Sequence, residues 1–66
     1  MKNQGFKQWK MSVTKAINEV EVRYDLSAGE LFQASNTTDG DLRELYGYGW
    51  APQETAMAVT EAVGLR

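Results

Sequence analysis

The chain has 66 residues, no cysteine, no histidine and a formal net charge of −2. This composition excludes disulfides, thiolate and imidazole metal ligands and the commonest general base, and so short a chain forms one small domain over residues 1–66. We expect a protein without catalysis, metal or cofactor. Because no apolar run approaches the roughly 18 residues of a membrane span and no signal-peptide pattern is present, we also expect it to be cytoplasmic and not to bind a membrane.

The pattern of residues 4–24 predicts one long amphipathic helix. Apolar residues recur at helical spacing and fall within an arc of roughly 80° on a helical wheel: Phe6, Trp9, Val13, Ile17, Val20 and Tyr24. This stripe predicts a core face with Trp9 at its centre. The opposite face carries Met11 and Val22 near Lys15. Two apolar residues there are either ordinary exposed side chains or contacts for a partner.

A local start signal predicts a short second helix over residues 28–34. Ser27 and Glu30 have the S-x-x-E spacing of a capping box, in which each side chain accepts a hydrogen bond from the other residue's backbone N–H. Leu26 and Leu31 have the spacing of the hydrophobic staple that often accompanies such a box.

Two further helices follow. Thr38 is the predicted cap of a third helix over residues 39–46, with Gly47 as its left-handed stop. Pro52 at a first helical position predicts the start of a fourth helix, which Gly64 ends. Its expected inward face is Pro52, Ala56, Val59 and Val63. The predicted fold is all-α, with one long N-terminal helix packed by three shorter ones and helices 3 and 4 forming a tight hairpin.

The stretch Y-G-Y-G-W between the last two helices is the main candidate for a binding surface. Tyr46 shares the predicted inward face of helix 3. Trp50 precedes helix 4 and could pack against its first turn, whereas Tyr48 lies between two glycines and has no neighbouring side chain to cover it. We expect Tyr48 to be the exposed aromatic of the three. Tyrosine and tryptophan commonly anchor protein interfaces.

This stretch also carries two resemblances. The pattern L-Y-x-x-G-W-x-P-x-E-x-A, from Leu45 to Ala56, resembles a hairpin of small uncharacterised bacterial and phage helical proteins. Those proteins also have an upstream W-x-x-x-V helix, matched by Trp9 and Val13, and the resemblance implies a helical fold but no activity. The same stretch is faintly similar to ubiquitin-associated domains, although Tyr46 stands where their loop has methionine, and that likeness would imply ubiquitin binding.

Charge and composition leave three classes of function. Residues 1–23 have a net charge of +3 and residues 24–66 one of −5, an asymmetry that can indicate a basic nucleic-acid arm or two halves that attract each other. Because arginine and aromatic residues are not interleaved in the basic half, nucleic acid is an unexpected partner. We expect a protein-interaction module that binds another protein, such as a phage or mobile-element factor acting on a host protein. The alternatives are a small DNA-binding regulator using the basic face of helix 1 and a self-associating, homo-oligomeric structural protein. The candidate partner-binding residues are Tyr48, Trp50, Met11, Val22 and Lys15.

Overall fold

The computed structural model describes residues 5–65, which form helices and no strand. The helices are α1 (Phe6–Arg23), α2 (Glu30–Ala34), α3 (Asp39–Gly47) and α4 (Pro52–Ala62). Each of the three shorter helices packs on α1. The prediction of an all-α fold built on a long N-terminal helix is therefore confirmed.

The core consists of the apolar stripe of α1 and the apolar side chains that the other helices pack against it. Trp9, Val13 and Ile17 are buried, and α2, α3 and α4 add four more buried apolar residues: Leu31, Leu42, Ala56 and Val59. Tyr24 departs from the predicted stripe. It follows the last residue of α1 and is 36% exposed, because α1 ends before it and the chain turns away.

Helix α4 lies along α1 and runs in the same general direction. Pro52 and Ser12 line a hollow toward one end of the pair, and Leu65 and Tyr24 line a groove toward the other. The predicted tight hairpin of α3 and α4 is wrong, because α4 packs on α1 and α2 and makes hardly any contact with α3. The larger apolar surface belongs to α1, and α4 buries its own apolar face there.

All four helices end in the same way. The residue after each cap is left-handed, at Asp25, Asn36, Gly49 and Gly64. In each case the next amide donates to the carbonyl of the third helical residue from the end, as Leu65 N–H does to Thr60 O at 3.2 Å. This is the Schellman motif. The prediction for Gly64 is confirmed.

The predicted stop at Gly47 is wrong. Gly47 is the last helical residue of α3, and the left-handed residue is Gly49, with φ of 86°. Leu45 O accepts from Trp50 N–H at 3.1 Å and Tyr46 O accepts from Gly49 N–H at 3.0 Å. These two hydrogen bonds place the left-handed residue at Gly49, two positions after Gly47.

The two predicted capping sites behave differently. At α3 the Thr38 hydroxyl accepts from Asp41 N–H at 3.1 Å, and the Asp41 carboxylate accepts from Thr38 N–H at 3.0 Å. At α2 only half of the predicted box forms, since the Glu30 carboxylate accepts from Ser27 N–H at 2.9 Å but the Ser27 side chain caps nothing. A turn with left-handed Gly29 precedes α2, which therefore begins at Glu30 and not at residue 28.

Two threonines of α4 are part of the buried interior, which the predicted inward face did not include. Thr55 and Thr60 are buried, and their hydroxyls donate to Ala51 O at 3.1 Å and Ala56 O at 2.8 Å. Because each hydroxyl is satisfied within the helix, each side chain can pack as a small branched residue. Pro52 and Val63, at the ends of the predicted face, are half-buried.

Candidate binding surfaces

The corner between α3 and α4 is held by hydrogen bonds on both sides. The Schellman bonds from Gly49 and Trp50 close the end of α3. The indole Nε1–H of Trp9 donates to the carbonyl oxygen of Trp50 at 2.7 Å. Glu54 accepts from Ala51 N–H at 3.0 Å and fixes the start of α4. The backbone that carries Tyr48 and Trp50 is thus anchored to three helices.

The three aromatic residues of the corner have three different environments. Tyr46 is half-buried and lies edge-on to Phe6 and to Trp9, with ring centroids 5.5 Å apart in both pairs. Tyr48 is 73% exposed and Trp50 is 38% exposed. The expected core position of Tyr46 and the expected exposure of Tyr48 are both observed. The backbone of Trp50 is held by the hydrogen bond that its carbonyl oxygen accepts from Trp9.

The outer face of α1 holds the other candidate residues, but it does not bring all of them together. Met11 is 63% exposed and Val22 is 80% exposed. Met11 and Lys15 line a shallow hollow of about 400 Å³ with neighbouring polar side chains of α1, and Val22 is not among its lining residues. All of its lining residues belong to α1, so no second helix encloses this hollow.

A second apolar surface, which the sequence did not indicate, lies between α1 and α4. It is an open groove of about 390 Å³ whose lining includes small or apolar residues from both helices and from the turns that follow them: Ala16, Val20, Tyr24, Ala56, Met57 and Leu65. Met57 is 61% exposed. Prediction missed this groove because it depends on α4 running beside α1, which no local pattern specifies. The exposed methionine of α4 was the one available signal.

Glu21 is a buried carboxylate that holds two helices together. It is 1% exposed and lies four residues after the buried Ile17. Its Oε2 accepts from the backbone N–H of Leu31 at 3.0 Å, while Oε1 has no hydrogen-bond partner within residues 5–65. The side chain therefore caps the first turn of α2 from a neighbouring helix. It lines none of the surfaces described above, and its role is structural.

Asp39 connects the basic and acidic parts of the chain. Lys10 Nζ donates to Asp39 Oδ1, and Arg43 Nε donates to Oδ2 at 3.3 Å. The hydrogen bond from Lys10 is the main cause that lowers the pKa of Asp39 below its ordinary value of 3.8. The Arg43 guanidinium also lies 4.4 Å from the ring centroid of Phe6. The Lys10–Asp39 ion pair thereby joins the first half of α1 to the start of α3.

Neither a metal-binding cluster nor a membrane-spanning helix occurs in the described part of the chain. No group of three or more acidic side chains within residues 5–65 is arranged to hold a metal ion. No helix in that part of the chain is long and apolar enough to cross a membrane.

Comparison with known proteins gives no relative for this chain. No protein-family model, curated protein or solved structure matches it. Its functional interpretation therefore depends on its own residues and their geometry.

Proposed function

We propose that this protein is a small non-catalytic module that binds another protein through the α3–α4 corner. Tyr48 and Trp50 are the proposed contact residues. The observation that supports the proposal is the 73% exposure of Tyr48 on a corner whose backbone is hydrogen-bonded to three helices. A tyrosine on a fixed backbone offers a flat apolar ring and a hydroxyl, and little conformational entropy is lost when a partner covers it.

Trp50 adds to this surface in a specific way. Its carbonyl oxygen bonds to Trp9, so its backbone is held in place, while 38% of the residue remains accessible. Binding to a pre-ordered surface avoids the cost of immobilising loops and side chains. Tyr48 and Trp50 together are therefore better placed as anchors than Met11 and Val22, which lie on a single convex helix.

The test compares capture of partners by three forms of the full chain. Tagged wild type, a corner variant (Tyr48→Ala with Trp50→Ala) and an outer-face variant (Met11→Ala with Val22→Ala) are incubated with a bacterial lysate, in keeping with the resemblance to bacterial and phage proteins. Bound proteins are quantified by mass spectrometry. We expect a stoichiometric partner that wild type and the outer-face variant retain and the corner variant loses.

The affinities are then measured with the purified partner. Loss of binding in the outer-face variant with retention in the corner variant would move the site to the outer face of α1. Absence of any stoichiometric partner for the wild-type chain would contradict the proposed function. Circular dichroism of each variant establishes that the helices are intact.

A further inference from the structure

The groove between α1 and α4 is lined by apolar and small residues, and charged side chains of both helices border it. Ala16 and Val20 of α1 and Ala56 and Met57 of α4 form much of the lining. Glu19 and Arg23 border the groove on the α1 side, and Gln53 and Glu61 flank Met57 on the α4 side. Lys15, four residues before Glu19, lines the adjoining hollow between the same helices.

Arg23 and Glu61 lie at the same end of the groove, one on each rim. Both are exposed, and the ion pairs found within residues 5–65 join Asp39 to Lys10 and to Arg43, not these two side chains. At this end of the groove α1 therefore presents an exposed positive charge and α4 an exposed negative one.

We propose that the groove is the contact surface for a second copy of this chain, related by a two-fold axis that runs along the groove. Such an axis places α1 of one copy against α4 of the other. The two helices keep the same relative position along their axes as they have within one copy. Arg23 of each copy then faces Glu61 of the other, and the pairing occurs twice because a two-fold interface is self-complementary. Met57 of each copy covers the floor formed by Ala16 and Val20 in the other.

The alternative two-fold arrangement is disfavoured by charge when its axis passes near Glu19. An axis across the groove would place α1 against α1 in opposite directions. With the axis near Glu19, that residue would face its own copy and Lys15 would face Arg23. Both contacts join like charges, which is a repulsive arrangement at an interface. An antiparallel axis midway between Glu19 and Arg23 would instead pair these two residues across the interface. It would give Glu61 no cationic partner, so the charge exchange described below distinguishes it from the parallel arrangement.

A second copy also suits the size of the molecule. Small chains bury a smaller fraction of their surface, and they commonly gain stability from oligomerisation. The dimer surface is distinct from the α3–α4 corner, so this inference does not depend on the proposed function. Two copies would present two corners to a partner.

The test is sedimentation velocity of the full chain from about 1 μM to about 1 mM, a range that spans weak and moderate dimer dissociation constants. We expect a reversible monomer–dimer equilibrium. Met57→Glu should weaken dimerisation at least about tenfold because it places a charge on the apolar floor. Met11→Glu is the matched control, since Met11 is equally exposed on the outer face of α1, and it should leave the equilibrium unchanged.

A charge exchange makes the test specific for the parallel arrangement. Arg23→Glu and Glu61→Arg should each weaken the dimer, because each places like charges opposite one another. The double variant should restore dimerisation to near the wild-type level. Wild-type chain that stays monomeric over the whole range would overturn the inference, as would a dimer that does not respond to these substitutions. A third outcome would also overturn the inference: the wild type forms no dimer, and Met57→Glu loses binding to a different protein. The groove would then belong to that other protein.

Discussion

The indole N–H of Trp9 donates to the carbonyl oxygen of Trp50 across 41 positions of the chain, at 2.7 Å. One residue thus fills the centre of the core and also fixes the corner that carries the exposed aromatics. Stability and the proposed binding surface are coupled at this contact, because the hydrogen bond can form only when α1 and the α3–α4 corner are docked together.

Substitutions at Trp9 should separate its two roles. Trp9→Ala removes a buried ring and should lower the free energy of unfolding by about 3–5 kcal/mol, which is comparable to the whole stability of so small a domain. Trp9→Phe keeps an aromatic ring but loses the donor to Trp50 O, and it should remain folded at a cost of about 1–3 kcal/mol. Urea unfolding followed by circular dichroism measures both. A Trp9→Ala variant that melts cooperatively within a few degrees of wild type would contradict the central position of this residue.

The two candidate caps should respond differently to removal of the side-chain hydroxyl. Thr38→Ala removes a hydroxyl that accepts from Asp41 N–H, and it should lower the free energy of unfolding by about 1 kcal/mol. Ser27→Ala removes a hydroxyl that caps nothing, and it should change stability by less than about 0.5 kcal/mol. Thermal melts of both variants under one set of conditions provide the comparison. Equal losses would show that the Ser27 hydroxyl caps α2 in solution.

These caps show how far local sequence reasoning extends. Thr38, Pro52 and Gly64 were predictable because each of these signals acts within one turn of helix. The stripe of α1 was predictable because its apolar residues repeat with the helical period. The Ser27–Glu30 pair carries an equally good signal, but the turn with left-handed Gly29 delays the helix and leaves the hydroxyl unused.

The features that could not be predicted depend on how the helices pack against one another. The burial of Glu21 requires α2 to lie over the end of α1, and the α1–α4 groove requires those two helices to run side by side. Neither relationship is written in a local pattern. The exposure of Tyr48 was predictable because it follows from its two glycine neighbours, whereas the placement of the turn at Gly49 follows from hydrogen bonds to Leu45 and Tyr46.

Glu21 gives the third prediction. Glu21→Ala leaves the buried N–H of Leu31 without its acceptor and should lower the free energy of unfolding by about 1.5–3 kcal/mol. Glu21→Gln is the matched control, because its side-chain carbonyl can still accept from Leu31 N–H. We expect Glu21→Gln to lose less stability than Glu21→Ala, since only the alanine variant leaves that N–H without an acceptor.

Hydrogen exchange locates the effect of Glu21. Amides of α2 should exchange faster in Glu21→Ala than in Glu21→Gln, while those in the middle of α1 remain protected until global unfolding. Similar protection of α2 in both variants would contradict the role of Glu21 as its anchor.

The fourth prediction concerns acid. The pKa of Asp39 is lowered by its hydrogen bond from Lys10, so the folded state favours the ionised carboxylate. A lowered folded pKa contributes stability above the unfolded pKa, and that contribution is lost as the pH falls through the folded value. Asp39→Asn should therefore reduce stability at neutral pH, and the difference from wild type should shrink as the pH falls below 3.8.

Salt and a second acidic residue provide the controls for Asp39. The side chain is exposed, so added salt should also reduce the difference between wild type and Asp39→Asn. Glu44→Gln removes one negative charge from the same helix without breaking either Asp39 ion pair. Denaturation of all three proteins across pH measures the effect. A difference for Asp39→Asn that does not vary between neutral pH and acid would contradict the ion pair.

The last prediction separates the two exposed aromatics of the corner. Tyr48 is 73% exposed, so Tyr48→Ala should change the free energy of unfolding by no more than about 0.5–1 kcal/mol. Trp50 is 38% exposed, so Trp50→Ala removes more buried ring and should cost more, although its backbone carbonyl can still accept from Trp9. Against the purified partner, Tyr48→Ala should weaken binding by at least about 1 kcal/mol, the usual threshold for an interface residue that contributes. Calorimetry of unfolding and of binding measures the two effects independently. If Tyr48→Ala unfolds the protein and Trp50→Ala does not, the roles of the two residues are reversed, and Trp50 is then the side chain that the corner presents to a partner.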